Sequence, residues 1–549
     1  MITCYNSSAT STLYSTKFDD AEKAAEALKL GIVDRVVPDD LMANAIEYAR
    51  SLIGKKSRIR DKVVPHTQAD AIQAASQKAL KAGKYRPNVQ LAIEMITNVI
   101  TMPIDQGLAA EREVFQTLRV GTEAKALRHQ FFAERKLFKL LANAESKPVE
   151  IERIAIIGAG TMGSGIAIAC LSAGYSVLML DQNETALENG VKKIRDFYDA
   201  RVASGKMAAD KAASLLQRFR SSVQWRDIAS ADLVIEAVFE DMQVKHAVFG
   251  QIEKYAAPQA LLASNTSYLD IDAIASHSKN PARIFGLHFF SPAQVMKLIE
   301  IVRCKHTDPS AIASSLQFAK RLGKTPVISA NAFGFIGNRI YAAYRRQCEF
   351  MLEEGAYPEQ IDQALEQYGF AMGPFAVADM SGLDIAWAMR KSLAPTRNPE
   401  HRYVSIPDSL CLAGRFGRKT GSGYYYYPPG AKSGVVDPEV KRVIDEASAS
   451  KGIIRRSFTA EEIIQRALLA MINEIAHLAS EKVVSDVTDC DVALVNGYGF
   501  PRWCGGPVFI AREMGIEKLR SELDALEKWS GPGFVRGDLS SLFETVGSE

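Results

Sequence analysis

The chain has 549 residues, 47% hydrophobic and 24% charged, which is ordinary for a globular protein and excludes a disordered or fibrous chain. At about 150 residues per domain, this length predicts three to four domains. The 66 Lys and Arg residues nearly balance the 64 Asp and Glu residues, and a net charge of +2 gives no electrostatic basis for binding nucleic acid. No apolar run approaches the roughly 18 residues of a membrane span. Seven cysteines, an odd number without a C-x-x-C pair, favour a reducing compartment and buried thiols.

Residues 20–145 are predicted to be mostly helical, with Ala-rich amphipathic windows such as Ala69–Ala82, and they hold no catalytic constellation. His66 and His129 stand alone, so we interpret them as surface or packing residues and predict no metal site. The N-terminus lacks the basic and apolar regions of a secretory signal, and residues 546–549 match no peroxisomal or prenylation address. With these signals absent, a cytoplasmic protein is the default expectation.

Residues 148–330 alternate short apolar strands with helices. The predicted strands cover residues 154–157, 177–180, 233–235, 260–263 and 326–328. Apolar strands without polar alternation, each followed by a helix, indicate a parallel sheet that is covered on both faces. The fold predicted for this segment is an α/β Rossmann domain.

A glycine-rich motif opens this domain. Gly158, Gly160 and Gly163 form G-x-G-x-x-G directly after the first strand and at the start of a helix, which is the β-α-β setting that dinucleotide binding requires. The pyrophosphate is expected at the helix N-terminus, where free N–H groups favour an anion. Asp181 ends the second strand, 18 residues after Gly163, and no arginine follows it. A carboxylate there accepts hydrogen bonds from the ribose hydroxyls and repels a 2′-phosphate, so NAD is favoured over NADP.

Residues 331–549 are predicted to be mainly helical and duplicated, as two tandem domains at residues 331–430 and 431–549. The matching segments are 362–365, 368–370 and 373–374 in the first copy and 491–494, 498–500 and 506–507 in the second. A long amphipathic helix precedes each copy. The two stripes of these helices are Ile336, Ile340, Tyr344, Cys348 and Leu352, and Ile464, Leu468, Ile472, Ile475 and Leu478. Each copy alone would leave an apolar face exposed, so we expect the two to pack together.

His288 and Glu300 are the candidate catalytic residues. His288 stands at a predicted strand end among aromatic residues, and Glu300 lies inside an apolar strand twelve residues later. A carboxylate in such a strand is costly unless it is paired, and a histidine is its natural partner. In such a dyad the carboxylate fixes the imidazole tautomer, and the other ring nitrogen can take a proton from a substrate hydroxyl while hydride leaves for a nicotinamide.

Several motifs in the correct order over residues 151–549 resemble the L-3-hydroxyacyl-CoA dehydrogenases. These motifs are GAGTMGSGIA, IEAVFEDMQVK, SNTS, GLHFFSPAQVMKLIEIV, GFIGNRI and GRFGRKTGSGYY. The duplicated helical part and the HFFSPA form of the histidine motif are most similar to the multifunctional enzymes of fatty-acid β-oxidation, in which a hydratase/isomerase domain precedes the dehydrogenase. The resemblance implies an NAD-dependent oxidation of 3-hydroxyacyl-CoA to 3-oxoacyl-CoA.

The resemblance also implies roles for individual residues. The implied catalytic residues are His288 and Glu300 as the dyad, with Ser267 and Asn338 orienting the C3 oxygen of the substrate and the histidine. The implied cofactor residues are Gly158, Gly160, Met162 and Gly163 at the pyrophosphate, Asp181 at the adenosine ribose, Val238, Phe239, Glu240 and Lys245 on the nicotinamide side, and Ser291 as a further hydrogen-bonding contact to the cofactor. Residue 291 is Ser where many single-function relatives have Asn, which keeps a polar group at this position.

Residues 22–40 resemble the end of a crotonase-type hydratase domain, whose catalytic glutamates and oxyanion-hole glycines lie upstream of this stretch. A crotonase site needs two N–H groups aimed at the thioester oxygen and two carboxylates. The residues before position 22 offer no Gly-rich turn for such an oxyanion hole, so we expect no hydratase or isomerase activity. Residues 1–147 would then be a truncated hydratase tail with linker helices, packed on the dehydrogenase or exposing apolar surface to a protein partner. A monomer is expected, since the second helical copy can occupy the surface through which smaller dehydrogenases dimerise.

Three alternatives remain at this point. A bifunctional hydratase–dehydrogenase requires the upstream motifs. A catalytically inactive NAD-binding scaffold should have lost at least one of the four catalytic residues, and all four are present. A hydroxy-acid or sugar-acid dehydrogenase on the same fold is disfavoured only by the duplicated helical part.

Overall fold

A computed structural model describes residues 21–55, 68–142 and 146–544. Cys4, His66 and residues 546–549, which entered the predictions above, lie outside these ranges. The chain divides into two compact units between Lys125 and Ala126. Within the described part of the first unit all regular structure is helical. Its helices are α1 (Ala21–Lys29), α2 (Leu41–Ser51), α3 (Ala69–Ala82), α4 (Pro87–Asn98) and α5 (Ile104–Val120). Helix α3 coincides with the Ala-rich window.

The second unit begins within helix α6 (Thr122–Ala142) and contains an eight-stranded sheet. The strands are β1 (Arg153–Ile157), β2 (Ser176–Leu180), β3 (Phe219–Ser222), β4 (Leu233–Glu236), β5 (Leu261–Ser264), β6 (Ile284–Phe289), β7 (Leu298–Arg303) and β8 (Thr325–Ala330). Their order is β3-β2-β1-β4-β5-β6-β7-β8, and every neighbouring pair is parallel except β6 and β7. This is the expected Rossmann-type sheet with one antiparallel step.

Both faces of the sheet are covered, because side chains alternate along each strand. Ile154 and Ile156 of β1 join the core on one face, whereas Ala155 and Ile157 join the core on the other. The helices of this part are α7 (Thr161–Ser172), α8 (Glu184–Ala203), α9 (Ala209–Leu216), α10 (Met242–Tyr255), α11 (Ile271–Ala275) and α12 (Pro309–Arg321). Burial of both faces explains why the inner strands are mostly apolar, whereas the edge strand β3 carries Arg220 and two serines.

The rest of the second unit is mainly helical, with isolated β-bridges between residues 417 and 435. The helices are α13 (Gly337–Glu354), α14 (Pro358–Tyr368), α15 (Pro374–Ser381), α16 (Leu383–Leu393), α17 (Ile406–Leu412), α18 (Pro438–Ser450), α19 (Ala460–Ser480), α20 (Thr488–Gly497), α21 (Pro507–Met514), α22 (Ile516–Ser530) and α23 (Ser540–Phe543). Helices α13 and α19, which carry the two apolar stripes, pack on each other in one shared core. The two helical copies therefore bury each other, as their stripes predict.

A carboxylate that caps a neighbouring helix occurs at the same position in both helical copies. Asp362 accepts hydrogen bonds from the N–H groups of Phe375 and Ala376 at the start of α15, and Asp491 accepts the equivalent bonds at the start of α21. Each carboxylate caps a helix whose own N-cap is a glycine, which has no side chain to do so. The segments duplicated in the sequence therefore carry the same helix-capping contact in both copies.

Helix α6 contributes polar contacts to the second copy. His129 Nε2 lies 2.8 Å from the buried Asp491 carboxylate, and the fully buried Gln130 donates to the Gly505 carbonyl at 2.6 Å. Glu134 binds Arg502 and Asn496 on the same surface. His129 is therefore a packing residue, in agreement with its interpretation from sequence.

Candidate active site and cofactor loop

The glycine loop after β1 has the geometry that its motif predicts. Gly158 has φ +106°, and a Cβ there would lie 2.7 Å from the Ala237 carbonyl oxygen. A Cβ at Gly163 would lie 1.9 Å from the Gly158 carbonyl oxygen, whereas one at Gly160 would meet nothing within 4 Å. Gly160 is the N-cap of α7 and provides no side-chain acceptor for the first-turn N–H groups. The loop therefore leaves open backbone and free donors for a pyrophosphate, with Met162 in the first turn.

Asp181 directly follows β2, beside this loop. One carboxylate oxygen accepts from the Ala159 N–H at 2.9 Å, and the other accepts from the Asn183 N–H at 2.9 Å. Both bonds come from backbone, so the carboxylate is held in place and each oxygen keeps a lone pair. This arrangement fits an acceptor for the ribose hydroxyls of NAD.

The segment after β4 contains four more of the predicted cofactor residues. Phe239 is 78% exposed, and Val238 is half-buried beside it. Lys245 is fully buried and binds both carboxylate oxygens of Glu236 at 2.7 and 2.9 Å. Its ammonium also lies 3.5 Å from Glu240. A buried cation needs such partners. Lys245 therefore holds the segment from Glu236 to Glu240 in place through these ion pairs.

His288 and Glu300 form the predicted pair. They face each other in the antiparallel register of β6 and β7, which places both side chains on one face of the sheet. The His288 Nδ1 to Glu300 Oε2 distance is 2.6 Å, and both side chains are buried. The second Glu300 oxygen accepts from the Gly337 N–H at 2.8 Å, at the start of α13. Both carboxylate oxygens are thus satisfied, and Nε2 is the ring nitrogen left for other partners.

Ser267 and Asn338 complete this cluster. Ser267 Oγ lies 3.2 Å from His288 Nε2, and Asn338 Nδ2 donates to the Ser267 carbonyl at 3.4 Å. Glu240 accepts hydrogen bonds from the side chain of Thr266 and the N–H of Ser267, at 2.6 and 2.8 Å. The carboxylate of the cofactor-side segment therefore fixes the turn that presents Ser267.

The turn after β6 carries Ser291, which is exposed and precedes a cis proline peptide. Lys324 Nζ donates to the carbonyl oxygens of Ala293 and Met296, at 2.6 and 2.5 Å. Burial lowers the pKa of Lys324 to about 8. This lysine ties the turn next to His288 to the start of β8.

The structure brings the predicted residues to one edge of the sheet. The parallel strands β1, β4, β5 and β6 lie side by side, and the glycine loop, the 238–245 segment, Ser267 and His288 all lie at or near their carboxyl ends. Ligands of open α/β sheets bind at this edge. The sequence prediction missed three residues of this region, which are Glu236, Lys324 and Tyr498. The Tyr498 hydroxyl donates to Asn338 Oδ1 at 2.7 Å. Glu236 could have been identified from sequence as a glutamate at the end of an apolar strand, whereas no local sequence pattern identifies Tyr498 as a site residue.

No group of three or more His, Cys, Asp or Glu side chains in the described part of the chain is arranged to hold a metal ion. None of the helices within the described ranges combines the length and the hydropathy that crossing a bilayer requires.

Two family models match this region. Residues 153–332 match the NAD binding domain of 3-hydroxyacyl-CoA dehydrogenase, and residues 334–427 match its C-terminal domain. The boundary between the two models falls between β8 and α13, next to the residues that meet around His288.

The curated relatives cover most of the chain. A peroxisomal bifunctional enzyme from Danio rerio is 38% identical over 522 residues, which are 91% of this chain and 72% of the relative. A glyoxysomal fatty acid beta-oxidation multifunctional protein from Cucumis sativus is 33% identical over 532 residues, 94% of this chain and 73% of the relative. The prediction of a cytoplasmic protein is therefore wrong, because it was only a default drawn from absent signals and these relatives are peroxisomal or glyoxysomal.

Solved structures agree with these matches. A 3-hydroxybutyryl-CoA dehydrogenase from Escherichia coli K12 superposes with a TM-score of 0.60 at 27% identity, covering 70% of this chain and 97% of that one. The dehydrogenase part of multifunctional enzyme 1 from C. elegans has a TM-score of 0.53 at 27% identity, covering 73% of this chain and 90% of that one. The chain belongs to the 3-hydroxyacyl-CoA dehydrogenase family and is an NAD-dependent dehydrogenase.

Proposed function

We propose that this chain oxidises (3S)-3-hydroxyacyl-CoA to 3-oxoacyl-CoA in peroxisomal fatty-acid β-oxidation, with His288 as the general base. The observation that carries this proposal is the buried His288–Glu300 pair, whose Nδ1 to Oε2 distance is 2.6 Å and whose Nε2 lies 3.2 Å from Ser267 Oγ. The names of the curated relatives support the pathway and the compartment.

Glu300 accepts a hydrogen bond from His288 Nδ1–H, so Nε2 is the basic nitrogen of the neutral ring. Nε2 takes the proton of the C3 hydroxyl, and the carboxylate stabilises the imidazolium that forms. Bound NAD supplies the hydride acceptor at the nicotinamide. The loop at Gly158–Gly163 and Asp181 would hold the adenosine and pyrophosphate parts of the cofactor.

Ser267 and Asn338 would orient the C3 oxygen. Ser267 Oγ lies beside His288 Nε2, where the C3 hydroxyl of the substrate would bind. The NH₂ group of Asn338 lies next to Ser267. Phe290 and Phe335 flank the imidazole at ring-centroid distances of 4.4 and 5.7 Å. These rings limit the access of water to the base, which strengthens its interaction with Glu300.

The test is oxidation of NADH with acetoacetyl-CoA, followed as loss of nicotinamide absorbance. His288→Gln is expected to lower kcat on the order of 10³-fold, because general acid–base catalysis contributes about 10²–10⁴-fold. His246→Gln is the matched control, since His246 is half-buried and hydrogen bonds to the Ala273 carbonyl in the same domain. An inactive wild-type chain that still binds NADH would favour the NAD-binding scaffold instead.

We also propose that these 549 residues do not hydrate enoyl-CoA thioesters. The described residues before Glu150 form helices and turns, and a crotonase-type reaction needs two backbone N–H groups at the thioester oxygen with a pair of carboxylates. Crotonyl-CoA incubated with the protein used in the NADH assay should lose none of its enoyl absorbance. Hydration at a rate comparable to the dehydrogenase rate would establish the bifunctional alternative.

A further inference from the structure

The second helical copy places a tyrosine in the candidate active site. Tyr498 directly follows α20, which packs on β7 and β8, and its hydroxyl donates to Asn338 Oδ1 at 2.7 Å. The Tyr498 ring packs against Phe290 and Tyr341, with ring centroids 5.4 and 5.8 Å apart. Gly337 makes room for it, since a Cβ there would lie 2.2 Å from the ring. The ring is therefore held on several sides.

The Asn338 amide has an acceptor end and a donor end, and its surroundings select one orientation. Oδ1 accepts from Tyr498, and Nδ2 donates to the Ser267 carbonyl at 3.4 Å. If the amide flipped, Oδ1 would face the carbonyl oxygen of Ser267, and two acceptors would lie together. Burial raises the pKa of Tyr498 well above its ordinary value, so the phenol stays a neutral donor.

One amide hydrogen of Asn338 remains available. Nδ2 carries two hydrogens, and within the described residues only the Ser267 carbonyl accepts from it. Ser267 also contacts His288 Nε2 through its hydroxyl. The remaining hydrogen is thus positioned to serve an oxygen atom of a ligand at the base.

We propose that Tyr498 is a positioning residue for the dehydrogenase reaction. It fixes the orientation of the Asn338 amide, so that the NH₂ group of Asn338 donates to the C3 oxygen of the substrate. The inference rests on the proposed function. In the reducing direction the C3 oxygen gains negative charge as hydride arrives at C3, and His288 then supplies the proton. A donor that is already oriented stabilises this charge without reorganising during the reaction.

The same position in the first helical copy does something different. Tyr368 matches Tyr498 in the repeated Tyr-Gly-Phe segment, but its ring packs against Phe370 and Phe500 and its hydroxyl contacts Cys504. The two copies are therefore not interchangeable, because only the second one reaches the Asn338 amide. Tyr368 also provides a matched control.

The experiment compares Tyr498→Phe with Tyr368→Phe in the NADH and acetoacetyl-CoA assay. Tyr498→Phe is expected to lower kcat about tenfold, less than the 10²–10³-fold typical of removing an oxyanion donor, because Asn338 remains. KM for NADH should stay within twofold, since the glycine loop is untouched. Tyr368→Phe should retain the wild-type kcat. Equal kcat for Tyr498→Phe and wild type overturns the inference.

A double-mutant cycle separates positioning from general support of the fold. Asn338→Ala is expected to lower kcat about 100-fold, and adding Tyr498→Phe to it should cause no further loss, because the amide that Tyr498 orients is gone. If Tyr498 acts only on overall structure, the same tenfold loss will appear in the Asn338→Ala background. That result would also overturn the inference.

Asn338→Asp gives an independent test if Tyr498→Phe fails to fold. It keeps an acceptor for Tyr498 and replaces the NH₂ donor with oxygen, so kcat should fall at least tenfold while KM for NADH changes little. An active Asn338→Asp variant contradicts the inference. An inactive wild-type chain overturns the proposed function and this inference with it, whereas an active wild type with a fully active Tyr498→Phe overturns the inference alone.

Discussion

At the scale of single residues, the structure places several ionisable groups where water cannot reach them. Glu300 and Lys245 are both fully buried, and each is paired, with His288 and Glu236 respectively. Removing one member of such a pair leaves an uncompensated charge, which costs about 3–5 kcal/mol. Buried charge is therefore tolerated in this protein where a partner meets it with good geometry.

Asp489 in α20 is a contrasting case. Burial, together with the nearby Asp486 carboxylate, raises the pKa of Asp489 to about 7, although the Lys136 ammonium opposes the shift. Between about pH 4 and pH 7 the native state holds a proton that the unfolded state has lost, so this residue's contribution to stability falls as pH rises. Asp489→Asn should stabilise the chain more at pH 8 than at pH 5, by about 2 kcal/mol.

Urea unfolding at the two pH values measures this difference. Asp196→Asn is the control, because the Asp196 side chain is 58% exposed and should show little change between the two conditions. A stabilisation by Asp489→Asn that is equal at pH 5 and pH 8 would mean that the carboxyl does not change protonation on unfolding.

At the scale of elements, remote carboxylates determine where the short helices of both copies begin. Gly506, at the start of α21, has φ +106°, and a Cβ there would lie 2.3 Å from the Asp491 carboxylate. Gly515, at the end of the same helix, has φ +82°, and a Cβ there would meet nothing within 4 Å. Substitution of either glycine would strain the backbone, but only at Gly506 would the added methyl group also collide with a carboxylate.

Gly515 has φ +82° and ψ 152°, a backbone conformation nearly restricted to glycine, so Gly515→Ala should destabilise the chain by about 2 kcal/mol from backbone strain alone. Gly506→Ala should cost roughly 3 kcal/mol, because it also displaces the carboxylate that caps α21 and contacts His129. Denaturant unfolding of the two variants measures the difference. Equal losses would show that the Asp491 cap adapts to the extra methyl group.

At the scale of the whole molecule, residues from Ala126 onward form one compact unit in which the Rossmann part and both helical copies meet. The candidate active site uses this arrangement directly. Glu300 is in the sheet, Asn338 begins the first copy and Tyr498 comes from the second. The geometry of the candidate active site therefore depends on how the two copies pack.

Cofactor binding should stabilise this unit as a whole. The four tryptophans, at positions 225, 387, 503 and 529, all lie after Ala126, so their fluorescence reports on this unit. NAD⁺ at 100 times its Kd should raise the apparent free energy of unfolding by about 2.7 kcal/mol. NADP⁺ at the same concentration should have little effect, because Asp181 repels a 2′-phosphate. Equal stabilisation by both would contradict the predicted role of Asp181.

The sequence by itself determined the features that depend on local pattern. The Rossmann strands, the glycine turn, the two apolar stripes and the duplicated segments are visible because helix and strand periodicity and turn chemistry act over a few residues. His288 and Glu300 are only twelve residues apart, on adjacent strands, so the cost of an unpaired buried carboxylate sufficed to predict their contact.

Only the tertiary structure decided the contacts between distant parts of the chain. Tyr498 and Asn338 are 160 residues apart, and His129 and Asp491 are 362 apart. Their partners depend on how α13, α19 and α20 pack on the sheet, and apolar stripes fix that packing without specifying which polar groups meet at its edges. A tyrosine in a repeated segment therefore has no recognisable role in the sequence until its copy is docked beside His288.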